Sequence, residues 1–523
     1  MNRRVVGALL LLLLGVVGIT AVWYFMPWFQ DLQKKTATDA QHIKGKITVA
    51  LDNWIGYFIF RSPEMRKELR RAGWSLVCED DGANYAQRMK RLRDNDIEFA
   101  VATVDSLVVN TASFGVPGIV IMVIDESKGG DAILARKEKV ASLDQLRNRA
   151  NITVAFTPDS PSHYLLKAAA HHFNLPELLP AAGPLRIETQ GSSEALTRLL
   201  AGKADVAVLW EPDVSRALAQ SGITKILGTE DTQKLIVDIL LVNKKLALKN
   251  PEVIKVFLSA YFSVLKEYRD KPALLREHLK SETGLPEDSV ESMVKGVRWV
   301  NLAENCEKWF GISGPDTSGE DGLVSALEST VKTLINAGDF SSSPIPDNDA
   351  YRLINSTFLQ DLFVKGVSGF TTARTGSSLP DIQGQTDTRF AALNESAWDR
   401  LKEVGTLKVE PVMFQQGASH LDSIAKETID RAADLLGHYP NFRVIIKGHT
   451  ATTGDPDENK RLSQDRAEAV AKYLVVTHRM DQNRLRATGF GGTRPFPRRP
   501  EESLRAWEYR LPRVEISLVR EEY

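Results

Sequence analysis

The chain has 523 residues, which is too long for one compact core and predicts two or three globular domains. Hydrophobic residues make up 43% of it and charged residues 25%, as in folded globular proteins rather than disordered chains. The 66 basic and 67 acidic side chains leave a formal net charge of -1, which argues against a protein that coats nucleic acid. Two cysteines, Cys78 and Cys306, exclude a disulfide scaffold and a four-cysteine zinc site. We expect two free buried thiols, with a single disulfide as the alternative.

An apolar segment, residues 5–29, follows two arginines near the start of the chain and contains no charged residue. At about 1.5 Å per helical residue, roughly 20 residues cross a bilayer core, so this segment suffices. It ends in a cluster of Trp, Tyr and Phe, as at a membrane interface, and lacks the small-residue cleavage site of a signal peptide. We therefore expect residues 1–29 to be a single-pass inner-membrane anchor, with a cleaved signal peptide as the alternative. Residues 30–44 are then a stalk, and the bulk of the chain lies in the periplasm.

Residues 45–365 alternate short apolar strands with amphipathic helices, which indicates an α/β region with a mainly parallel sheet. The predicted strands are 47–51, 74–77, 99–103, 119–124, 152–156 and 206–210, and the predicted helices are 63–72, 83–94, 162–173 and 251–280. Residues 366–404 form a linker, rich in Gly, Ser and Thr over most of its length. Residues 405–523 are predicted to be a small α+β sandwich, with strands at 407–412, 442–447, 485–488 and 514–519 and helices at 421–436 and 459–476.

Several motifs occur in a fixed order in the α/β region: SLDQL at 142–146, TPDS at 157–160, GSSEA at 191–195, LAGKAD at 200–205 and WEP at 210–212. In this order they resemble the ABC-type periplasmic solute-binding proteins of the nitrate, sulfonate and taurine type. The resemblance implies two α/β lobes that close over a small-molecule ligand. It also raises the expectation of an ABC permease as a partner.

Ligands of such folds lie where the carboxyl ends of strands and the amino ends of helices converge on a cleft. The candidates at those positions are Asp52, Asn53, Trp54, Tyr57, Thr103, Asp105, Ser106, Ser127, Lys128, Asp131, Asp159, Ser160, Ser162, Trp210, Glu211, Asp213 and, on the hinge side, Asp238. The set holds many carboxylates and one basic residue, Lys128, and desolvated carboxylates would repel an oxyanion. We therefore expect a cationic, zwitterionic or polar ligand. The alternatives are that the Asp and Ser residues only cap helices and that the two tryptophans only pack in the core.

The tail carries KGHT at 447–450, Asn459, LSQDRA at 462–467, GFG at 489–491 and RVEI at 513–516. This pattern resembles the OmpA-like peptidoglycan-binding domain, and it implies wall contacts by Thr450, Asn459, Arg466 and Arg513. In that family a loop carboxylate and a helix arginine hold the two charged ends of diaminopimelate, one group for each sign. Arg466 is the arginine, but Ala451 stands at the acid position, so Asp455 or Asp457 would have to replace it. Leu511-Pro512 is a further departure, and a purely structural or protein-binding module is the alternative.

We therefore expect a membrane-anchored solute-binding receptor that is tethered to peptidoglycan and is not an enzyme. No nucleophile elbow, HExxH helix or phosphate loop is present in the sequence, and we expect no cofactor or metal ion. The adjacent His171 and His172 point to different sides of a helix and are not expected to share a metal. The alternative is an envelope scaffold or sensor, without a transport role, whose lobes and tail engage protein partners.

Overall fold

The computed structural model describes residues 43–147, 149, 151–180, 183–312, 321–364, 390–408, 412, 414 and 417–520. The predicted anchor and nearly all of the predicted stalk lie outside these residues, as does most of the predicted linker. None of the helices within the described ranges combines the length and the hydropathy needed to span a bilayer.

Strands of the described residues form three sheets. Their bounds are β1 (Gly45–Leu51), β2 (Trp74–Asp80), β3 (Phe99–Thr103), β4 (Ile119–Ser127), β5 (Asp131–Arg136), β6 (Val154–Phe156), β7 (Arg186–Glu188), β8 (Val206–Trp210), β9 (Ile223–Gly228), β10 (Val237–Val242), β11 (Val297–Trp299), β12 (Lys402–Thr406), β13 (Arg443–His449), β14 (Leu485–Gly489) and β15 (Arg513–Arg520).

The α-helices cover the sheets and connect their strands. Their bounds are Phe58–Arg61, Pro63–Arg71, Tyr85–Asp94, Val104–Phe114, Pro161–Phe173, Gly191–Leu200, Asp213–Leu218, Lys244–Lys249, Pro251–Asp270, Pro272–Thr283, Glu287–Lys295, Leu302–Glu304, Gly322–Asn336, Thr357–Val364, Glu395–Arg400, Ser423–Gly437, Pro456–His478 and Leu504–Tyr509. The predicted helix 251–280 is two helices, because Pro272 has no N–H to continue the first one.

The first two sheets are the cores of two α/β lobes. Lobe 1 has the strand order β11-β4-β10-β3-β1-β2, and lobe 2 has the order β7-β6-β8-β5-β9. In lobe 1, β1 is parallel to β2 and β3, whereas β10 is antiparallel to both of its neighbours. The chain passes between the lobes at residues 128–130, the first crossing, and at residues 229–236, the second crossing. This confirms the predicted two-lobed architecture.

The third sheet, with the order β12-β15-β13-β14, carries the helices Ser423–Gly437 and Pro456–His478. Its first strand is Lys402–Thr406, which begins before the predicted start of the unit at residue 405. Of the predicted strand 407–412, residues 407, 408 and 412 are not in a strand, and residues 409–411 lie outside the described residues. A Cβ at Gly405 would lie 2.6 Å from Cδ1 of Phe173 in lobe 2, so glycine permits this close approach.

The tail packs against lobe 2 and the second crossing, and we call this contact the docking face. The Tyr439 hydroxyl lies 2.6 Å from Nδ1 of the buried His172. The Gln233 N–H donates to the carbonyl of His438 over 3.0 Å, and the Asn441 amide donates to the carbonyl of Glu230 over 3.2 Å. The tail therefore contacts backbone that links the two lobes.

Both cysteines are free thiols, as expected: Cys306 is buried, and Cys78 is half-buried with its Sγ 3.4 Å from the carbonyl oxygen of Phe60. Within the described ranges, no group of three His, Cys, Asp or Glu side chains has the arrangement of a metal site.

Candidate functional site

Arg88, a basic residue outside the predicted set, is paired with the predicted Asp52. Arg88 is fully buried, and its Nη2 donates to Oδ2 of Asp52 over 3.0 Å while its Nε donates to Asp81 over 2.7 Å. Lys128 instead bonds Glu126 and the carbonyl of Thr232 at the crossings. Asp52, a predicted residue, is therefore held in place by an ion pair with Arg88.

Sequence reasoning missed Arg88 because it is one of several basic residues on its helix and its type alone does not single it out. Its spacing could have done so. One face of the helix holds Tyr85, Arg88, Met89 and Leu92, and all four are buried. A charged residue on a buried face is expected to have a partner, and here the partners are carboxylates.

Two carboxyl groups, Asp125 and Asp238, face each other across β4 and β10, where they are direct register partners. The Trp54 indole donates to Oδ1 of Asp125 over 3.3 Å, and the Tyr57 hydroxyl donates to Oδ1 of Asp238. Oδ2 of each carboxyl is buried and has no hydrogen-bond partner in the protein. Burial raises the pKa of Asp125 to about 8, and burial together with the charge of Asp125 raises the pKa of Asp238. Burial therefore favours the protonated form in both groups.

Asp125 was absent from the predicted set because the predicted strand ended at Ile124. The structure extends β4 to Ser127, so Asp125 and Glu126 lie within a buried strand rather than in the loop after it. Asp238 lies near the second crossing, as the hinge-side prediction required.

Asp105 and Asp131 are a second pair of buried carboxyl groups with an unpartnered oxygen. Asp105 lies in the first turn of the helix after β3 in lobe 1, and Asp131 is the first residue of β5 in lobe 2. Each is buried, and Oδ1 of each has no hydrogen-bond partner in the protein. Burial raises the pKa of each to about 7; a Thr103 contact opposes the shift at Asp105, and a Ser127 contact opposes it at Asp131.

A cavity of 390 Å³ lies between the lobes. Its lining comes from residues 82–86 in lobe 1 and from residues 157–159 and 188–190 in lobe 2. Two carboxylates, Asp159 and Glu188, belong to this lining, and no Lys or Arg does. The lining residue Thr157 is buried, and its hydroxyl has no hydrogen-bond partner in the protein. The cavity is therefore acidic and holds an unused polar group.

The two predicted tryptophans are buried and engaged within the protein. Trp54 packs so tightly on the first crossing that a Cβ at Gly130 would lie 2.2 Å from its ring. The Trp210 indole donates to Oδ1 of Asn53 over 2.9 Å, so these two predicted residues join lobe 2 to lobe 1. Core packing therefore explains the burial of Trp54, and the contact between the lobes explains that of Trp210.

Most predicted hydroxyl groups serve the backbone. The Ser106 hydroxyl accepts from the Thr103 N–H over 3.1 Å, and the Ser160 hydroxyl accepts from the Ser162 N–H over 3.2 Å. The Ser127 hydroxyl lies 2.7 Å from that of Thr229 and so ties the two crossings together. These contacts support the alternative that such residues cap helices and turns.

Two further predicted acids are also engaged. Both oxygens of Glu211 accept from Ser215, and Asp213 accepts from Ser193 and Arg216. Burial raises the pKa of Glu211 to about 7 in spite of these bonds. Of the predicted acids, Asp105, Asp131 and Asp159 are therefore the best placed for a ligand.

In the tail, Thr450 and Arg466 are buried, and the Thr450 N–H donates to the carbonyl of Gly491 over 3.0 Å. The Arg466 guanidinium donates to the carbonyl of Ala418 over 3.0 Å and lies 5.0 Å from the Phe414 ring centroid. Burial lowers the pKa of Arg466, although a guanidinium still stays charged at neutral pH. The Asn459 amide donates to the carbonyl of Thr453, which fixes the loop that contains Ala451.

Two other tail residues already have internal partners. Arg513 pairs with Glu515 at 2.7 Å and stacks on Phe496, so the peptidoglycan contact predicted for Arg513 has strong internal competition. Burial alone would raise the pKa of Glu515, but His449 and Arg513 lower it to about 2. Asp455 accepts two backbone N–H bonds as the cap of the helix Pro456–His478, so one of the two proposed substitute acids already has partners.

Residues 413–506 match the family model described as the OmpA family. The C-terminal unit is an OmpA-family domain. The similar proteins include outer membrane protein Omp38 of Acinetobacter baumannii, 34% identical over 100 residues, or 19% of this chain and 28% of that protein. They also include the peptidoglycan-associated lipoprotein of Rhizobium meliloti, 32% identical over 84 residues, or 16% of this chain and 47% of that protein. The chain thus spans less than half the length of each of these relatives.

Solved structures similar to this chain include the aliphatic sulphonate binding protein SsuA of Escherichia coli, with a TM-score of 0.44 and 15% identity. That match covers 59% of this chain and 98% of SsuA. The desulfurization enzyme DSZB is also similar, with a TM-score of 0.41, 12% identity, and coverage of 62% of this chain and 99% of the enzyme. The structural neighbours thus include both binding proteins and an enzyme.

Proposed function

We propose that this chain is a membrane-anchored, extracytoplasmic solute-binding receptor that is tethered to peptidoglycan through its OmpA domain. The observation that supports it most directly is the cavity between two lobes that are joined by two crossings, with the unpartnered Thr157 hydroxyl in its lining. Buried polar groups without partners are costly in a folded protein, and a bound solute would satisfy them.

A thermal-shift screen of the full-length protein, purified in detergent, against polar metabolites tests the receptor role. A ligand that binds only the native state raises stability by RT ln(1 + [L]/Kd), about 2.7 kcal/mol at 100 times Kd. A screen in which no metabolite raises the melting temperature would favour the scaffold alternative. Catalytic turnover of a cleft ligand would contradict a pure binding function.

The wall tether is tested by pull-down with purified sacculi. The Arg466 guanidinium would hold a ligand carboxylate, while Ala451 supplies no charge for the ammonium of the same ligand. A charge-assisted hydrogen bond contributes roughly 1.5–3 kcal/mol, so Ala451→Asp should strengthen binding by about 10- to 100-fold and Arg466→Ala should abolish it. The exposed Arg461→Ala on the same helix is a control for loss of positive charge. Retention of sacculi by Arg466→Ala, with no effect of Asp457→Ala, would refute the tether.

The anchor is proposed from the apolar segment at residues 5–29, and N-terminal sequencing of the mature protein tests it. A mature chain that begins near residue 30 would show a cleaved signal peptide instead. A receptor of this kind would serve an ABC permease, and co-purification of a permease from membranes, enhanced by the cleft ligand, tests that partnership.

A further inference from the structure

We infer that the cleft binds a primary organic ammonium ion whose N–H groups donate to Asp105 of lobe 1 and Asp131 of lobe 2. This inference rests on the proposed receptor function and narrows its ligand to one chemical class. The two carboxylates belong to different lobes, so one ammonium group held by both would favour the closed arrangement of the lobes.

Unused acceptors favour a ligand that brings hydrogen-bond donors. Oδ1 of Asp105 and Oδ1 of Asp131 are buried without a partner, and so is the hydroxyl of Thr157 in the cavity lining. A carboxylate oxygen can only accept, and a primary ammonium offers three N–H donors. A quaternary ammonium offers no N–H, and an inorganic or sulfonate anion would be repelled. The geometry thus separates primary amines from both other classes.

Helix amino ends around the cavity could attract an anion, but a side chain of the protein already accepts from one N–H at each of three of them. Asn84 accepts from the Gln87 N–H over 3.1 Å at the start of one helix, and Ser160 caps a second. Glu194 accepts from the Gln190 N–H over 2.9 Å at a third. A helix amino end whose N–H groups are satisfied, or that already carries a carboxylate, has less to offer an anion.

The charges around the two carboxylates are mostly negative. Besides burial, the charges that raise the pKa of Asp131 are those of Asp105, Asp52 and Glu211. Lys167 and Asp159 face Asp105 with opposite effects on its pKa. The nearby cations are already committed, since Arg88 bonds Asp52 and Asp81, and Lys167 bonds Asp339 at 2.5 Å. A cationic ligand would therefore relieve a local excess of negative charge.

The same charges predict a pH dependence of binding. Asp105 and Asp131 have pKa values of about 7, so at pH 6 they hold protons that a bound cation would displace. Binding should therefore release protons, and affinity for the amine should rise between pH 6 and pH 8 and then level off.

Calorimetry on the full-length protein in detergent tests the inference with matched probes. The primary amines are ethylamine, ethanolamine, putrescine and histamine. Each is compared with its N-trimethylated form and with the sulfonate of the same skeleton, in two buffers that contain neither a primary amine nor a sulfonate and differ in ionisation enthalpy. We expect at least one amine to bind, its two counterparts to bind at least 10-fold more weakly, and protons to be released.

Asp105→Asn and Asp131→Asn preserve side-chain shape and should each weaken amine binding about 10- to 100-fold, because each removes a charge-assisted bond. Glu277→Gln removes one exposed negative charge elsewhere and should leave affinity unchanged. If a variant does not fold, the comparison of each amine with its trimethylated and sulfonate counterparts on the wild-type protein still decides the question.

The possible failures are distinct. Tighter binding of any sulfonate or trimethylated counterpart, or binding of the amine at pH 6 without proton release, overturns the ammonium inference and leaves the receptor role standing. If other polar metabolites bind but none of the four amines does, the ammonium inference also fails and the receptor role stands. If neither the amines nor the polar metabolites bind, both the inference and the receptor role fail.

Discussion

Replacing Arg88 with methionine should destabilise the protein far more than a substitution at its surface. The Arg88 guanidinium is fully buried and donates to Asp52 at 3.0 Å, to Asp81 at 2.7 Å and to the carbonyl of Val101 at 3.0 Å. Methionine replaces the unbranched part of the arginine side chain but has no donor, so it would leave two carboxylates and a carbonyl uncompensated. Removing one partner of a buried ion pair costs about 3–5 kcal/mol, and we expect a loss of that size in the free energy of unfolding. At about 2–4 °C per kcal/mol, the melting temperature should fall by roughly 10 °C.

The loss should also depend on pH. Burial raises the pKa of Asp81 even with Arg88 present, and without the guanidinium the folded variant would hold protons more firmly still. A carboxyl that protonates no longer leaves a buried charge, so the destabilisation relative to wild type should shrink from pH 8 to pH 5. Urea unfolding of the full-length protein, followed by tryptophan fluorescence at both pH values, measures it.

Lys90→Met on the same helix is the matched control. Lys90 is exposed and pairs only with Asp94 at 2.8 Å, so its loss should cost less than about 1 kcal/mol. The reasoning is refuted if Arg88→Met costs no more than Lys90→Met, or if its cost does not change between pH 8 and pH 5.

Three further outcomes are expected. Burial raises the pKa of Asp125 to about 8, so this group costs stability as pH rises above its pKa in the unfolded chain. Asp125→Asn should therefore gain urea resistance over wild type at pH 8 and little at pH 5. An equal effect at both pH values would contradict this. Burial, together with His438 and His171, lowers the pKa of His172 well below 6.5, so this group costs stability as pH falls. His172→Gln should therefore flatten the decline in unfolding free energy between pH 7 and pH 5. An unchanged slope would count against this. A Cβ at Gly448 would lie 1.9 Å from the Ser463 carbonyl oxygen. Gly448→Ala should therefore lower the free energy of unfolding by about 1–3 kcal/mol, measured by urea unfolding of the full-length protein. A loss below about 0.5 kcal/mol would contradict this.

Sequence patterns predicted the buried strands well because their signal is local. Strands 99–103 and 206–210 agree with the structure to the residue, since each is a run of five residues without a charge that follows an acidic residue, Glu98 or Asp205. The prediction failed where a polar residue is buried with a distant partner, as with Asp125 in β4 and Arg88 on its helix. Their partners, Trp54 and Asp52, lie 71 and 36 residues away in the chain, and no periodicity within a window of 18 residues contains that information.

The predicted cleft set mixes residues with different roles. Asp159 lines the cavity between the lobes, Asp105 and Asp131 are buried with an unpartnered oxygen each, and Ser160, Ser162 and Thr103 complete backbone turns. Both outcomes look alike in sequence, because Asp and Ser after a strand serve caps and ligands equally well. Whether a given oxygen already has a donor could be decided only from coordinates.

The docking face gives the tail a mechanical connection to the lobes. Hydrogen bonds from Gln233 to His438 and from Asn441 to Glu230 attach it to the second crossing, which must change its backbone angles if the lobes rotate apart. A pulling force on the tail would therefore load the segment about which the lobes turn, rather than a remote surface. Conversely, any rotation that displaces the Glu230 carbonyl must either carry the tail with it or break these bonds. The coupling is reciprocal. If fixing the orientation of the tail changes the free-energy difference between open and closed lobes, closing the lobes changes the free energy of that tail orientation by the same amount.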